Sequence, residues 1–410
     1  MDSSTNPARL PVPMTASPHA SRATPTHDGP GTGAAGVPAD LRVALVHDWL
    51  TGMRGGEKVL EVLCALFPRA ELFTLVHVRG SVSPVIERHR IHRSFVSALP
   101  YVRRLYRHYL PLFPIAVELF DLDQFDLVLS TSHCAVKSVI TGGHARHLCY
   151  CLTPMRYAWD QFDAYFGPGR IGRMPSSLMK PIIGALARWD AGTSGRPDRY
   201  VAISQYVASR IRRYYNRGAG VIYPPVDTGF YCPDATRPDG TALIVSALVP
   251  YKRVDLAVEA CRRAGVTLRI VGHGPEMARL RQLAGPRVEF LGTVSDEEVR
   301  ACYRRASVVL LPGEEDFGIV PLEAQACGRP VVALGRGGAL ETVVDGVTGV
   351  LVADSSVGAL ADGLARALET PFDASAIRRH AESFGRERFA AEMGAAVAEI
   401  LQRPTDSLPW

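Results

Sequence analysis

The sequence has no C-x-x-C pair, no G-X-Y period and no apolar run long enough to cross a bilayer. The first absence removes the usual zinc and redox spacings. The second, with 37 Gly and 30 Pro scattered along the chain, removes a collagen-like or wholly disordered reading. A spanning helix needs about 18 apolar residues, and the longest candidate, 110–120, is interrupted by Pro111, Pro114 and Glu118. No basic start followed by an apolar stretch marks a signal peptide, so a cytoplasmic location is expected. The 8 cysteines are not needed as staples, because 410 residues can build real cores. Cys149 and Cys151 alternate within a strand-like run and read as buried free thiols.

What is present is the composition of a folded protein: 47% hydrophobic, 21% charged and 8% aromatic, at a length that suits two domains. The net charge of +5 is unevenly placed. Between Arg79 and Leu110, Arg79, Arg88, Arg90, Arg93, Arg103, Arg104 and Arg107 face one acid, Glu87. This window alone carries the basic excess, and the rest of the chain is close to neutral. It lies beside Tyr101, Tyr106, Tyr109 and the apolar run to Phe120. Cations next to aromatic and apolar side chains suit an anionic membrane surface or a phosphate-bearing acceptor. A solvated helix face is the plain alternative. Nucleic acid is not an expected partner.

Residues 1–39 are Pro, Ser, Thr, Ala and Gly with few large apolar side chains, and read as a disordered tail. Gly31, Gly33 and Gly36 there match G-x-G-x-x-G only formally, because no strand precedes them. From residue 40 to 222, strand candidates at 42–47, 72–75, 126–130, 147–151 and 200–203 alternate with helical patterns such as 56–67 and 205–215. Such alternation implies parallel strands with crossover helices. Tyr223-Pro224-Pro225-Val226-Asp227 breaks the rhythm as a hinge. A second series follows over 223–385, with strands at 242–248, 267–271, 288–291, 308–311 and 331–333 and helices at 254–263, 275–283 and 296–306. The expectation is an α/β protein of two doubly wound, Rossmann-like domains facing a cleft, with a last helix at 386–401 packing back on the first.

The strongest chemical signal is the run 312–330, where a strand ends in a loop and a helix is expected to begin near Pro321. Glu315 in the loop and Glu323 in the first turn of that helix are separated by seven residues, with the amides of Phe317 and Gly318 between them. Two carboxylates there suit recognition of several hydroxyls, since each accepts up to about four hydrogen bonds. Compensation of the helix dipole is the plain alternative for Glu323. Asp121 and Asp123 match the D-x-D that chelates a metal–nucleotide, but the strand follows rather than precedes them.

With these residues the chain resembles glycosyltransferase family 4, retaining enzymes of the GT-B fold, and among them bacterial O-antigen and exopolysaccharide mannosyltransferases. Glu315 and Glu323 match the family's E-x7-E element, and the likeness continues through 324–331, 337–342 and 346–352. Upstream it includes Val249–Asp255 with Lys252 and Arg253, and Val271–Pro275. In the first half it includes 47–57 with Gly55 and Gly56, 130–133 ending in His133, and 151–160 with Arg156 and Tyr157.

The resemblance implies that Glu315 contacts the donor sugar near the reaction centre and that His133 contacts the transferred sugar. It implies that Glu323 holds the ribose hydroxyls, and that Lys252 neutralises the donor diphosphate beside the Gly55–Gly56 amides at a helix start. Arg156 and Tyr157 fall to the acceptor. The implied reaction transfers a hexose, mannose from GDP-mannose, to a lipid-diphosphate-linked or oligosaccharide acceptor in surface polysaccharide synthesis. It needs no cofactor and no metal, and places the protein peripherally at the inner face of the cell membrane. The alternatives are a UDP-hexose donor, a non-catalytic nucleotide-sugar-binding protein and, third, a NAD oxidoreductase, for which the run after Gly272 and Gly274 lacks the third glycine. Two positions depart from the family. Ala247 stands where an Arg often precedes the Lys, so either one diphosphate cation is missing or Arg253 supplies it. Leu152 stands where close relatives often have His, which bears on acceptor contacts.

Overall fold

In the computed structural model, which describes residue 38 and residues 40–402, the chain divides into two compact units. The first runs to Ile203 and adds Val207–Ile222 and the segment from Phe389; the second holds Ser204–Tyr206 and Tyr223–Arg388. The expected tail over 1–39, with its glycine match, lies outside the described residues apart from residue 38.

The first unit is built on β1 (Val43–Leu50), β2 (Glu71–His77), β3 (Ile91–Arg93), β4 (Leu127–Ser132), β5 (Arg146–Cys151), β6 (Arg199–Ala202) and β7 (Ala219–Val221). They pair in the order β3-β2-β1-β4-β5-β6-β7, and every pairing is parallel. Every residue of β1, β4 and β5 is buried, as in a sheet covered on both faces. The second unit holds β8 (Ala242–Val245), β9 (Leu268–Val271), β10 (Val288–Gly292), β11 (Val308–Leu311), β12 (Val331–Leu334) and β13 (Gly349–Val352). Their order is β10-β9-β8-β11-β12-β13, again all parallel. In each sheet the winding reverses once, between β1 and β4 and between β8 and β11. Loops leaving adjacent strands at such a point diverge, and ligands of doubly wound sheets bind there.

The departures from the expected elements have local causes. β1 runs to Leu50 rather than stopping at residue 47, because His47 and Asp48 find polar partners inside the fold. β3 and β7 have three residues each, too few for a period-two signal. The 20-residue helix Arg173–Gly192 carries Pro181 in its interior, a residue that normally marks a helix end. The Arg-rich window is not one helix face: it contains β3 and short helical turns at Phe95–Ala98, Val102–Leu105 and Tyr106–Leu112. The last helix, Arg386–Gln402, buries Phe389 edge-on against Tyr150 at 5.5 Å and pairs Glu399 with Arg199 at 2.6 Å. Among the described residues no helix is long and apolar enough to cross a membrane.

All eight cysteines are free, and six are buried. Burial pushes the thiols of Cys64, Cys261 and Cys327 up to about 12, so they stay protonated and unreactive near neutrality. His147 on β5 is fully buried, with Nε2 2.8 Å from Ser130 Oγ. Burial, assisted by the Lys137 charge, pulls its imidazole down to about 3. Between that value and the ordinary histidine value of about 6.5 the unfolded chain binds the extra proton, so stability rises with pH there. The free energy of unfolding should therefore fall on acidification below about pH 6.5, with His147 contributing up to about 1.4 kcal/mol per pH unit. Urea unfolding of the wild type and of His147→Gln at several pH values checks this. Parallel pH dependence of the two proteins would reject it.

Candidate functional site

In the second unit the diverging loops are those after β8 and β11, and they bring Lys252 to Glu315. Lys252 closes the turn Pro250–Lys252 just beyond β8, Glu315 lies in the loop after β11, and the ammonium donates to Glu315 Oε1. Both side chains are mostly buried. Gly313 makes this approach possible, since a Cβ on it would lie 2.5 Å from Tyr251 O and 2.8 Å from Lys252 Cα. The far side of the Glu315 loop is fixed similarly. Gly338 N–H donates to Glu315 O at 2.8 Å, and a Cβ on Gly338 would lie 2.2 Å from Phe317 Cα.

Gly318 then turns the chain with φ +94°, and the helix Ile319–Ala326 starts at once. It was expected to start near Pro321, but a proline lacks only an N–H that has no partner in a first turn. Glu323 consequently sits in the second turn rather than the first. Its carboxylate is buried and accepts the Tyr303 hydroxyl at 2.9 Å. The Phe317 ring is also buried, stacked on Tyr223 at 5.5 Å. Arg253 does not join the Lys252–Glu315 pair. Its backbone is left-handed at φ +50°, and its guanidinium meets Asp255 at 3.3 Å and Ser355 Oγ at 3.5 Å. Ala247 is exposed just beyond β8.

In the first unit the diverging loops are those after β1 and β4. Gly55 and Gly56 open the helix Gly55–Leu66, and the N–H of Arg54 before them donates to Glu57 at 3.1 Å. A Cβ on Gly56 would lie 2.9 Å from Leu152 and 3.5 Å from the His47 ring. Leu152 thus lies against the glycine pair assigned to the donor diphosphate, whereas the sequence linked it to acceptor contacts. His133 follows β4 directly and lies edge-on to Trp49 at 4.4 Å. Burial holds its imidazole below the usual value, against the opposing charge of Asp48. Arg156 and Tyr157 open the short helix Arg156–Trp159, where the Tyr157 hydroxyl lies 2.6 Å from Cys134 Sγ. Asp121 and Asp123 lie in the loop entering β4, at the strand's amino end.

Several polar residues of this region were not singled out in the sequence. Asp48 is fully buried and accepts the backbone N–H groups of His133, Cys134, Ala135 and Val136 at 2.7–3.1 Å. His47 Nδ1 meets Thr131 Oγ1 at 2.6 Å, with Nε2 4.0 Å from Glu57 Oε1. Burial pushes the Glu57 carboxyl up, but His47, Arg54 and His133 outweigh it and hold the group below its usual range. Further in, Asp190 pairs with Lys137 at 3.0 Å and accepts Trp159 Nε1 at 2.7 Å and the Tyr215 hydroxyl at 2.9 Å. A charged residue inside a strand or late in a helix gives no periodic signal, so only the family-like run 47–57, which contains His47, Asp48 and Glu57, hinted at any of these.

Residues 235–387 match the family Glycosyl transferases group 1. A GDP-mannose-dependent alpha-(1-6)-phosphatidylinositol monomannoside mannosyltransferase of Mycolicibacterium smegmatis is 32% identical over 48% of this chain and 60% of its own length. D-inositol 3-phosphate glycosyltransferase 2 of Catenulispora acidiphila is 31% identical over 52% of this chain and 57% of its own. The chain thus spans less than two thirds of either relative. Among solved structures, HepE of Anabaena in complex with UDP superposes with a TM-score of 0.66 at 19% identity, covering 88% of this chain and 100% of HepE. The apo lipopolysaccharide outer core galactosyltransferase WaaB gives 0.59 at 18% identity, over 88% and 99%. With the two parallel sheets, these likenesses show the GT-B fold.

The Gly313 contact is testable without any substrate. Gly313→Ala should cost about 1–3 kcal/mol, the usual range for overpacking, because its methyl meets backbone rather than a side chain that can swing away. A domain of this size loses roughly 2–4 °C in Tm per kcal/mol, so calorimetry should show a clear drop. An unchanged transition would mean that the Tyr251–Lys252 turn is free to move.

Proposed function

We propose that this chain, whose residues 235–387 form a glycosyl transferases group 1 domain within a GT-B fold, is a retaining glycosyltransferase. It moves a hexose from a nucleotide sugar and needs no metal ion. The observation that carries this reading is the Lys252–Glu315 pair at the carboxyl ends of β8 and β11. A departing diphosphate gains negative charge, and the anomeric carbon it leaves gains positive charge. An ammonium and a carboxylate held together offer one partner to each, and groups fixed in advance act most where charge develops. Glu323 carries a carboxylate, a group that accepts up to about four hydrogen bonds and so suits the ribose hydroxyls. The Gly55 and Gly56 amides open a 12-residue helix, a setting favourable to phosphate. His133, held neutral by burial, suits contact with the transferred sugar.

GDP-mannose is the favoured donor, since a relative at 32% identity bears the name of a GDP-mannose-dependent enzyme. A UDP-hexose is the second reading, supported by the likeness to HepE bound to UDP. The acceptor is lipid-diphosphate-linked, and the protein works peripherally at the inner face of the cell membrane. Support for this comes from the Arg-rich window: Tyr101 is 79% exposed, and Leu105, Ile115 and Leu119 are exposed near Arg103, Arg104 and Arg107.

Hydrolysis of GDP-mannose, UDP-glucose and UDP-galactose by the purified protein tests the reaction and ranks the donors. Glu315→Gln should lower turnover by roughly 10²-fold or more, and activity should persist in excess EDTA. Loss in EDTA that manganese restores would favour Asp121 and Asp123 as metal ligands instead. For the membrane, Arg103 and Arg104 together changed to Ser should weaken binding to anionic vesicles, at about 1 kcal/mol for each charge. Donor hydrolysis in solution should be unaffected. Equal sedimentation of variant and wild type with such vesicles would leave the window a solvated face.

A further inference from the structure

His133 is joined to Asp48 in two ways, through its backbone and through its ring. Asp48 lies on β1, fully buried, and its Oδ2 accepts the N–H of His133 at 2.7 Å and of Cys134 at 2.9 Å. Its Oδ1 accepts Ala135 N–H at 2.7 Å and Val136 N–H at 3.1 Å. The same Oδ2 that takes the His133 N–H stands 3.2 Å from His133 Nδ1. That ring nitrogen is buried, although a quarter of the side chain is exposed. The exposed part of the imidazole therefore excludes Nδ1. Trp49, the residue after Asp48, meets the His133 ring edge-on at 4.4 Å and restricts its tilt.

A buried carboxylate cannot serve as the partner of a lone pair. An Nδ1 facing Oδ2 must carry the proton, because an unprotonated nitrogen there would place two acceptors together without water between them. When one nitrogen of a neutral imidazole holds the proton, the other holds the lone pair. We infer that Asp48 is a positioning residue, which holds His133 in the Nδ1–H tautomer and so presents Nε2 as a hydrogen-bond acceptor to a hydroxyl of the transferred sugar. The ring contact is off the hydrogen-bond axis, and in sites of this kind such bonds commonly align when the ligand binds.

This inference rests on the sugar-transfer reading for what Nε2 does, but not for which nitrogen bears the proton. Other charges also face the ring: His47 on β1, Glu57 on the Gly55–Leu66 helix and Arg107 from the Tyr106–Leu112 turn. Glu57 favours the imidazolium as Asp48 does, whereas His47 and Arg107 oppose it. Among these charges it is Asp48 whose Oδ2 stands against Nδ1.

The decisive measurement is the nitrogen NMR spectrum of the full chain labelled with 15N-histidine, with the His133 signals identified by their absence from His133→Gln. At a pH where the ring is neutral, Nδ1 should show the shift of a protonated nitrogen and Nε2 that of a bare one. A neutral ring protonated at Nε2 overturns the inference, whether or not the protein transfers sugar. The second arm is Asp48→Asn. Its carboxamide retains one acceptor oxygen for the loop, so some loss of Tm is expected, but His133 should also lose its tautomer preference and titrate at lower pH. Turnover should fall on the order of tenfold to a hundredfold, the usual loss when the group orienting a functional imidazole is removed. A lower Tm with unchanged tautomer and titration makes Asp48 only a loop anchor and rejects the positioning role. If Asp48→Asn does not fold, the wild-type tautomer still decides. If the wild type has the expected tautomer but transfers no sugar to any acceptor, the functional reading fails and the placement of the proton stands.

Discussion

A carboxylate with no exposure to water has to be met by donors, and the loop after β4 is built around that requirement. Four successive N–H groups, from His133 to Val136, converge on Asp48. The donors lie 85–88 residues further along the chain, and the bonds form only if β1 and β4 are neighbours. The strand order supplies that adjacency. Removing the carboxylate would leave four buried donors without a partner, at a cost of about 1–3 kcal/mol each. The position of His133 therefore follows from sheet order and from the burial of one charge, more than from the residues beside it.

The second unit reaches the same end by a different route. There the loops after β8 and β11 are brought together by the absence of side chains. Gly313 lies on the Tyr251–Lys252 turn, and Gly338 lies under Phe317. The backbone contacts leave Lys252 and Glu315 little freedom except to meet each other. An ion pair in a largely dry setting contributes little net stability, because desolvation offsets most of the attraction. What the pair gains is orientation. Two charges that must each be partnered hold two loops at a set distance, and a charged ligand entering between them meets groups already in place.

The two parallel sheets are legible in the sequence because several central strands are apolar runs followed by a helical period, as at Ala242–Val245 and Val308–Leu311. The acid pair in 312–330 is legible because its spacing survives in any fold. The depth of Glu323 is not, since it depends on Gly318 turning left-handed and starting the helix two residues before Pro321. The place of the Arg253 side chain is not legible either, although its position after Lys252 suggests a second phosphate cation. Its backbone is left-handed, and the guanidinium meets Asp255 and Ser355. Asp48 carries no sequence signal of its own, because a carboxylate within an apolar run looks like the end of a strand. Its partners are main-chain groups, which carry no residue signature at all.

The buried Lys137–Asp190 pair extends the same logic deeper into the first unit. Lys137 belongs to the turn after the Asp48-bound loop, with its ammonium 2.7 Å from Asp190 O and 4.7 Å from the Tyr215 ring centre. Asp190 in turn takes the indole N–H of Trp159, at the end of the helix that begins with Arg156 and Tyr157. Tyr157 reaches back to Cys134 on the loop that Asp48 holds. These contacts form a closed circuit: Asp48 fixes the loop, the loop carries Cys134 and leads into Lys137, and Cys134 and the Lys137-paired Asp190 hold the short helix through Tyr157 and Trp159. Such a four-residue helix has almost no stability of its own. Its place is therefore set by polar contacts at both ends, and a change in either buried carboxylate is felt by His133, Arg156 and Tyr157 together.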